Sequence, residues 1–255
     1  MATIASRKSG SKPQHPIRIV PMRGAVVSTA AAGANLTYRN GPLLTAVKIF
    51  TVFWGTGWQA AVNATLMNQL NQFFDYILTS QLVDQLGEYS VPGKTIGQGS
   101  RIGTTVLTSP DVAAQVQDAD VQQLLQASID AGTLPAADAN TLYFVYLPPG
   151  VQVQMGGSAS CTSFCGYHDT FGNQIFYAVM PYPGCAGCTG SLALFDALTS
   201  ISSHELCEAV TDPIPGQGWY DDAQGEIGDI CAWQNRKLGA YTVQLEWSNQ
   251  AGACI

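Results

Sequence analysis

The stretch of sequence that decides the fold is Ser203-His204-Glu205-Leu206-Cys207-Glu208-Ala209-Val210-Thr211-Asp212-Pro213. Upstream of it, apolar residues recur at intervals of three and four, the spacing of one helix face, at Leu194, Leu198 and Ile201. The same spacing continues through His204, Glu205 and Glu208. The pattern therefore predicts a helix from Ser191 to Val210 that ends near Pro213 and buries one histidine and two carboxylates.

Buried carboxylates need a cation, a proton or several hydrogen-bond donors, because burying them alone costs free energy. The only basic pair nearby in the sequence is Arg236-Lys237, so a metal ion is the simplest source of positive charge. His204 and Glu208, four residues apart, face the same way and are predicted to bind one ion. Glu205 stands between them, where HExxH metalloproteases place the general base that activates water.

The second ligand position departs from that pattern, because Glu208 stands where a standard zincin has histidine. Carboxylate oxygen also binds zinc, and an oxygen-rich site suits calcium or manganese. We therefore expect Zn²⁺, with Ca²⁺ or Mn²⁺ as alternatives. The motif is short, so an exposed helix end with ordinary charges remains the other interpretation.

The amino-acid composition excludes some classes of protein. The chain has 255 residues, of which 11% are charged, and its net charge is −7. No nucleic-acid partner is expected, because phosphate binding depends on clustered Lys and Arg. No apolar run is long enough to span a bilayer. Low charge with many small polar residues is typical of secreted proteins, so an extracellular location is expected.

Residues 1–35 are predicted as a flexible tail without a clear signal peptide, and 36–255 as a single zincin-like domain. Within it, 36–150 is predicted as an α/β layer and 151–255 as a cysteine-rich half with the metal site. Residue patterns indicate strands at 45–54, 101–108 and 141–147, and helices at 58–86 and 118–131.

Alternating strands and helices are typical of right-handed crossovers. The predicted fold class is α/β (α+β), a zincin-like mixed twisted sheet with a long backing helix and an active-site helix. A further strand is predicted at 174–180 and a last one at 240–247. In zincin metalloproteases an edge strand just upstream of the active-site helix pairs with extended substrate. A protein or peptide is therefore expected to bind along 174–180.

All seven cysteines follow residue 160. By proximity, six form three groups: Cys161 with Cys165, Cys185 with Cys188, and Cys231 with Cys254. Cys-x3-Cys followed by Cys-x2-Cys also has the ligand spacing of a zinc ribbon. An extracellular composition favours disulfides over that ribbon, and Cys207 is then the free thiol.

Several motifs, in this order, resemble the plant Exordium (phosphate-induced) proteins and their microbial relatives: Asn40-Gly41-Pro42-Leu43-Leu44, the strand through Trp54-Gly55, Cys165-Gly166-Tyr167-His168, Ser203-His204-Glu205-x-x-Glu208 and Glu226-Ile227-Gly228-Asp229-Ile230-Cys231. The resemblance runs from about residue 38 to near the C-terminus. It implies an extracellular or cell-wall-associated protein and does not by itself imply an activity.

The acidic segment at the end of that series completes the predicted site. In zincins with a glutamate as third ligand, this residue follows the helix motif at a similar distance, and a nearby acid orients the first histidine. Glu226 and Asp229 fit these roles, with either as the ligand, and a helix N-cap or calcium-binding turn is the alternative. His168 is predicted to stabilise the transition state or act as a fourth ligand, unless it is a hydrogen-bonded core residue.

Two functions follow from these assignments. The first is a secreted, metal-dependent endopeptidase in which Glu205 is the general base. The second is a non-catalytic extracellular binding or signalling module that keeps a zincin-like metal site, because a fold does not guarantee its chemistry. Glu205 favours the enzyme, because a purely structural metal site needs no adjacent base.

Overall fold

The computed structural model describes residues 19–24, 33–172 and 174–255. Its strands, in chain order, are β1 (Ile19–Pro21), β2 (Thr37–Tyr38), β3 (Lys48–Trp54), β4 (Ser100–Leu107), β5 (Gln115–Gln117), β6 (Thr141–Tyr146), β7 (Gln152–Met155), β8 (Ser158–Ala159), β9 (Phe164–Phe171), β10 (Ile175–Met180), β11 (Trp219–Tyr220), β12 (Asn235–Leu238), β13 (Tyr241–Gln244), β14 (Trp247–Ser248) and β15 (Ala253–Cys254).

The α-helices are α1 (Ala61–Ile77), α2 (Gln81–Gln85), α3 (Asp118–Asp130), α4 (Ala186–Thr189) and α5 (Leu194–Thr211), and 3₁₀ turns lie at Thr56–Gln59, Leu86–Tyr89 and Asp229–Cys231. Among the described residues, none of these helices has the length and apolarity needed to cross a bilayer.

A six-stranded mixed sheet in the order β1-β9-β10-β6-β3-β4 forms the centre of this α/β fold. Strands β4, β3, β6 and β10 are mutually parallel, while β9 runs antiparallel to β10 and β1 antiparallel to β9. Alternate side chains of each strand face opposite sides. Phe53 and Phe144 pack with α1 and α5, whereas Tyr143 and Val145 pack with α3 on the other face. The sheet is therefore covered by helices on both faces.

Several predicted elements are found with shifted ends. The predicted backing helix at 58–86 is wrong as one continuous element, because α1 ends at Ile77 and α2 begins at Gln81. The Ser80 hydroxyl accepts a hydrogen bond from the Leu82 amide at 3.3 Å and caps the second helix. The predicted strand at 240–247 is also divided, because β13 pairs with β12 while β14 pairs with β15.

The expected edge strand is in the interior of the sheet. Strand β10 lies between β9 and β6, so its backbone groups are bonded on both sides. Its fully buried residues, such as Tyr177 and Val179, fit a central strand. The prediction that a substrate pairs with residues 174–180 is therefore wrong.

Part of the predicted N-terminal tail forms the actual edge strand of the sheet. Ile19–Pro21 forms β1 and pairs with β9, and Val20 is fully buried there. The indole of Trp233 donates to the Pro21 carbonyl at 2.8 Å. For these residues the prediction of a flexible tail is wrong, and the rest of residues 1–32, apart from 22–24, lies outside the described residues. The division at residue 150 is also not a structural boundary, because β9 and β10 share a sheet with β3 and β6.

The cysteine-rich half is held by three disulfides: Cys161–Cys185, Cys165–Cys188 and Cys231–Cys254. The prediction of disulfides is confirmed, and the zinc ribbon is wrong because the sulfurs are bonded to one another. The first two bonds join the groups Cys161/Cys165 and Cys185/Cys188 across β9 and α4 rather than closing either group. Cys207 is free and buried, as predicted.

Candidate metal centre

Helix α5 presents the predicted motif to the interior. It begins at Leu194 and ends at Thr211, close to the predicted bounds. The helix stops there because Asp212 leaves helical geometry and its carboxylate accepts backbone amides from 216 and 217 at 2.6 and 3.0 Å. His204, Glu205 and Glu208 have no exposed surface. The face that carries the motif therefore lies between the sheet and the acidic segment.

Strand β9 brings His168 against this helix face. Its Nδ1 is hydrogen-bonded to Glu205 Oε2 at 3.0 Å and lies 3.5 Å from Glu208 Oε2. Its Nε2 lies 3.2 Å from the Asp212 carbonyl oxygen and 3.5 Å from Glu226 Oε1. The histidine that follows the cysteine motif thus contacts the helix and the acidic segment together.

Glu208 directs its two oxygens to different histidines. Oε1 lies 2.8 Å from His204 Nε2 and accepts the Asp229 amide at 3.1 Å, whereas Oε2 faces His168. Two sets of ligand atoms result, each within 4.8 Å: the His168 trio (His168, Glu208 and Glu226) and the His204 trio (His204, Glu208 and Asp229). The predicted ligands are gathered, but around two points that share one carboxylate.

The acidic segment reaches the helix because Gly228 has no side chain. A Cβ atom at this position would lie 2.9 Å from Glu208 Oε1 and from the His204 ring. The same turn is closed by Asp229, whose Oδ2 accepts the Glu226 amide at 3.0 Å. Asp229 Oδ1 lies 4.0 Å from His204 Nε2. Asp229 therefore closes a turn and lies near the histidine, but it is not a helix N-cap, because Gly228 holds that position before the 3₁₀ turn.

The four acidic residues of the site are called the acidic cluster: Glu205, Glu208, Glu226 and Asp229. Several of its buried oxygens have no hydrogen-bond partner, namely Glu205 Oε1, Glu208 Oε2 and both oxygens of Glu226. The Nε2 atom of His204 is also unpartnered, because its contact with Glu208 lacks hydrogen-bond alignment. Buried polar atoms are rarely left unsatisfied, so this group of atoms points to a missing partner.

The nearby basic residues do not supply that partner. Lys237 pairs with Asp196 at 2.8 Å, and Arg236 donates to Gln85 at 3.4 Å. Burial raises the pKa of Glu205, and it raises the pKa values of Glu226 and Asp229 well above their ordinary range. Burial also acts to raise the pKa of Glu208, but charged histidines beside it lower that pKa to about 2. Without a cation, protons must therefore neutralise part of the cluster.

Gln244 was missed by the sequence reasoning. Its Nε2 donates to the Gly228 carbonyl at 2.9 Å and to His204 Nδ1 at 2.8 Å, and its Oε1 accepts the Trp233 amide at 3.0 Å. Glu246, also fully buried, has two unpartnered oxygens. No sequence signal marked these residues, because Gln244 and Glu246 fall on the polar half of a strand that alternates apolar and polar residues, the pattern of a half-exposed strand.

The N-terminal strand closes the sheet beside the site. The Arg23 amide donates to the Gly187 carbonyl at 2.7 Å, and its guanidinium lies 4.0 Å above the Trp233 ring. Together with the Trp233 bond to Pro21, these contacts fix β1 along β9, the strand that carries His168. The sheet edge next to the site is therefore occupied by the chain itself.

Comparison with known proteins does not identify a family for this chain. No protein-family model matches the sequence, and no curated protein matches it either. The resemblance to the Exordium proteins accordingly rests on the motifs quoted above.

Proposed function

We propose that the chain is a metal-dependent hydrolase that cleaves peptide bonds, using Zn²⁺, or else Mn²⁺ or Ca²⁺. The observation that supports this proposal is the group of fully buried, unpartnered carboxylate and imidazole atoms around Glu208. Imidazole nitrogen and carboxylate oxygen are a donor set suited to zinc and manganese. The residues therefore fit a divalent cation, and a zincin-like arrangement of helix and sheet is part of the proposal.

In this proposal the bound ion and the residues of the chain have separate roles. A bound ion would supply Lewis-acid chemistry, polarising a carbonyl and favouring ionisation of water. Glu205 is the general base, since its Oε1 is unpartnered while its Oε2 is held by His168 at 3.0 Å. Burial raises the pKa of Glu205 above that of an exposed carboxylate, which makes it a stronger base.

The proposed substrate is an extended protein or peptide segment. The edge of β9 is where a strand can be added beside His168, and β1 now makes those hydrogen bonds. A substrate strand would replace β1 there. Nucleic acid is not a proposed partner, because the net charge is −7.

A second function, a non-catalytic extracellular module that keeps the metal for stability, is favoured by burial. His168, His204 and Glu205 have no exposed surface, so a substrate needs an opening motion that a structural site does not. Both functions are proposed for an oxidising compartment, because disulfides persist in secreted proteins and are rare in the cytosol.

Cleavage of an unstructured protein by the full chain, and by a variant without residues 1–24, separates the two functions. Metal-loaded protein is expected to cleave it, to lose activity with a chelator, and to regain activity when Zn²⁺ or Mn²⁺ is returned. Cleavage that persists after complete metal removal would rule out the proposed mechanism. If the metal-loaded forms of both chains leave the substrate intact, the module is the better account.

A further inference from the structure

Glu208 stands between two sets of ligands, and we propose that it bridges two divalent ions rather than binding one. One ion is assigned to the His168 trio and the other to the His204 trio. The inference rests on the metal binding of the proposed function and does not require peptidase activity. Two-metal sites with ions about 3.5–4 Å apart and shared ligands are an established type of hydrolytic centre.

The spacing of the His168 trio suits an ion. Ligand atoms about 2.1 Å from a tetrahedral ion lie about 3.4 Å from one another. His168 Nε2 lies 3.5 Å from Glu226 Oε1, close to that spacing, whereas Glu208 Oε2 lies 3.5 Å from the other ring nitrogen, Nδ1; the ligand atoms of the trio all lie within 4.8 Å of one another. With Nδ1 facing the Glu205 carboxylate, Nε2 is the ring atom assigned to the ion, and binding there would replace its 3.2 Å contact with the Asp212 carbonyl oxygen. Three of the carboxylate oxygens in this trio are unpartnered.

The His204 trio offers a second position for an ion. His204 Nε2 lies 2.8 Å from Glu208 Oε1 in an i,i+4 contact and has no other polar partner within hydrogen-bond distance. Asp229 Oδ1 lies 4.0 Å from the same nitrogen and is held in place by the turn at Gly228. An ion between these atoms would give the buried ring nitrogen a partner.

Charge supports two ions. The acidic cluster carries four negative charges when it is fully ionised, and the buried Asp212 and Glu246 add further carboxylates beside it. Protonated His168 and His204 offset at most two of these charges, and a histidine that binds a metal offsets none, whereas two divalent ions offset four. The nearest basic side chains are engaged with residues outside the cluster, Asp196 and Gln85, so they do not supply this balance.

The two positions are expected to differ in affinity. A histidine that binds metal through Nε2 carries its proton on Nδ1 and donates it to an acceptor. Here the Gln244 amide donates to His204 Nδ1, and its other contacts with Gly228 and Trp233 hold it in that orientation. An ion on His204 Nε2 requires the ring proton to be on Nδ1, where the Gln244 amide can then no longer donate its hydrogen bond. The His168 trio is therefore the tighter site and the His204 trio the weaker one.

Zinc titration of the metal-free full chain, followed by calorimetry and elemental analysis, tests the inference. We expect two ions per chain with two resolved affinities. His168→Ala should remove the tighter site and His204→Ala only the weaker one. Gln244→Glu offers Nδ1 an acceptor and should strengthen the weaker site about tenfold, the lower end of second-shell effects.

The number of ions bound per wild-type chain tests the inference even if a variant fails to fold. Saturation at one ion per chain overturns the two-ion inference and leaves the proposed function standing. No bound ion overturns both. Two ions without peptide cleavage support the inference and contradict the proposed peptidase. Loss of the tighter site in His204→Ala, with circular dichroism unchanged, overturns the order of affinities.

Discussion

Glu205 on helix α5 and His168 on strand β9 are joined by a 3.0 Å hydrogen bond, although they lie 37 residues apart in the chain. The bond fixes one oxygen of the carboxylate and leaves the other, Oε1, buried without a partner. A general base needs this combination of a held orientation and an available lone pair. In the proposed function, this contact is the reason for assigning the role of general base to Glu205.

Replacing Glu205 by glutamine should separate catalysis from metal binding. The amide keeps the shape of the side chain but is not basic, so metal content and folding should be retained while hydrolysis falls about a hundredfold to ten-thousandfold. Glu208→Gln is the matched control on the same helix face, and it should lose metal and stability together. Full activity of metal-loaded Glu205→Gln would show that Glu205 is not the base.

Adding one methyl group at residue 228 should disturb the centre without replacing a ligand. Gly228 has ordinary helical backbone angles, but a Cβ there would lie 2.9 Å from Glu208 Oε1 and the His204 ring. Gly228→Ala should cost about 1–3 kcal/mol of unfolding free energy and weaken metal binding. Gly87→Ala is the control, because the nearest atom to its added Cβ is 3.8 Å away. Equal behaviour of the two variants in denaturant titration would contradict the packing described for the acidic segment.

The metal-free protein should lose stability as the pH rises. Burial raises the pKa values of Glu205, Glu226 and Asp229, so their protonated forms are favoured in the folded state. Their stabilising contribution is complete below the ordinary carboxyl pKa and is lost as the pH passes through the raised values. The unfolding free energy of chelated protein should therefore fall as the pH rises above the ordinary carboxyl range, and saturating metal should remove most of the fall. A flat profile for the metal-free protein would mean that the cluster is not protonated there.

Removing β1 should open the sheet edge. Deletion of residues 1–24 takes away the strand that pairs with β9, including its Trp233 contact, so cleavage of extended peptides should increase. Deletion of residues 1–18 keeps β1 and is the matched control. If both deletions leave the rate unchanged while the fold is retained, the substrate does not bind along β9.

Thiol titration should find one free cysteine. Six cysteines are bonded in pairs, and Cys207 has no exposed surface. The folded protein should therefore react slowly, and the denatured, unreduced protein should give about one thiol per chain. Finding several thiols in protein purified without reductant would contradict the disulfide pattern.

Local sequence patterns were enough to predict the elements whose positions depend mainly on residues close in the chain. The spacing of Leu194, Leu198 and Ile201 identified helix α5, and its face placed His204 and Glu208 together because both lie on one helix. The acidic segment was predicted because Glu226 and Asp229 follow the helix motif at the distance found in zincins with a glutamate as third ligand. The helix needed only periodicity and residue chemistry, whereas the acidic segment also needed that analogy.

Contacts between distant segments could not be read in this way. Nothing in the sequence around His168 says that it meets Glu205, and the pairing of Ile19–Pro21 with β9 depends on the completed sheet. The edge position expected for 174–180 failed for the same reason, since strand order is set by the whole topology. The cysteine pairs cross between groups because β9 and α4 pack side by side.

The most direct test of the central claim is an anomalous-difference map from crystals of the protein, measured on both sides of the absorption edge of the bound metal. The account predicts density within coordination distance of Glu208, with one peak beside His168 and Glu226 and a weaker one beside His204 and Asp229. A map with no peak near Glu208, from protein grown in the presence of zinc or manganese, would contradict it.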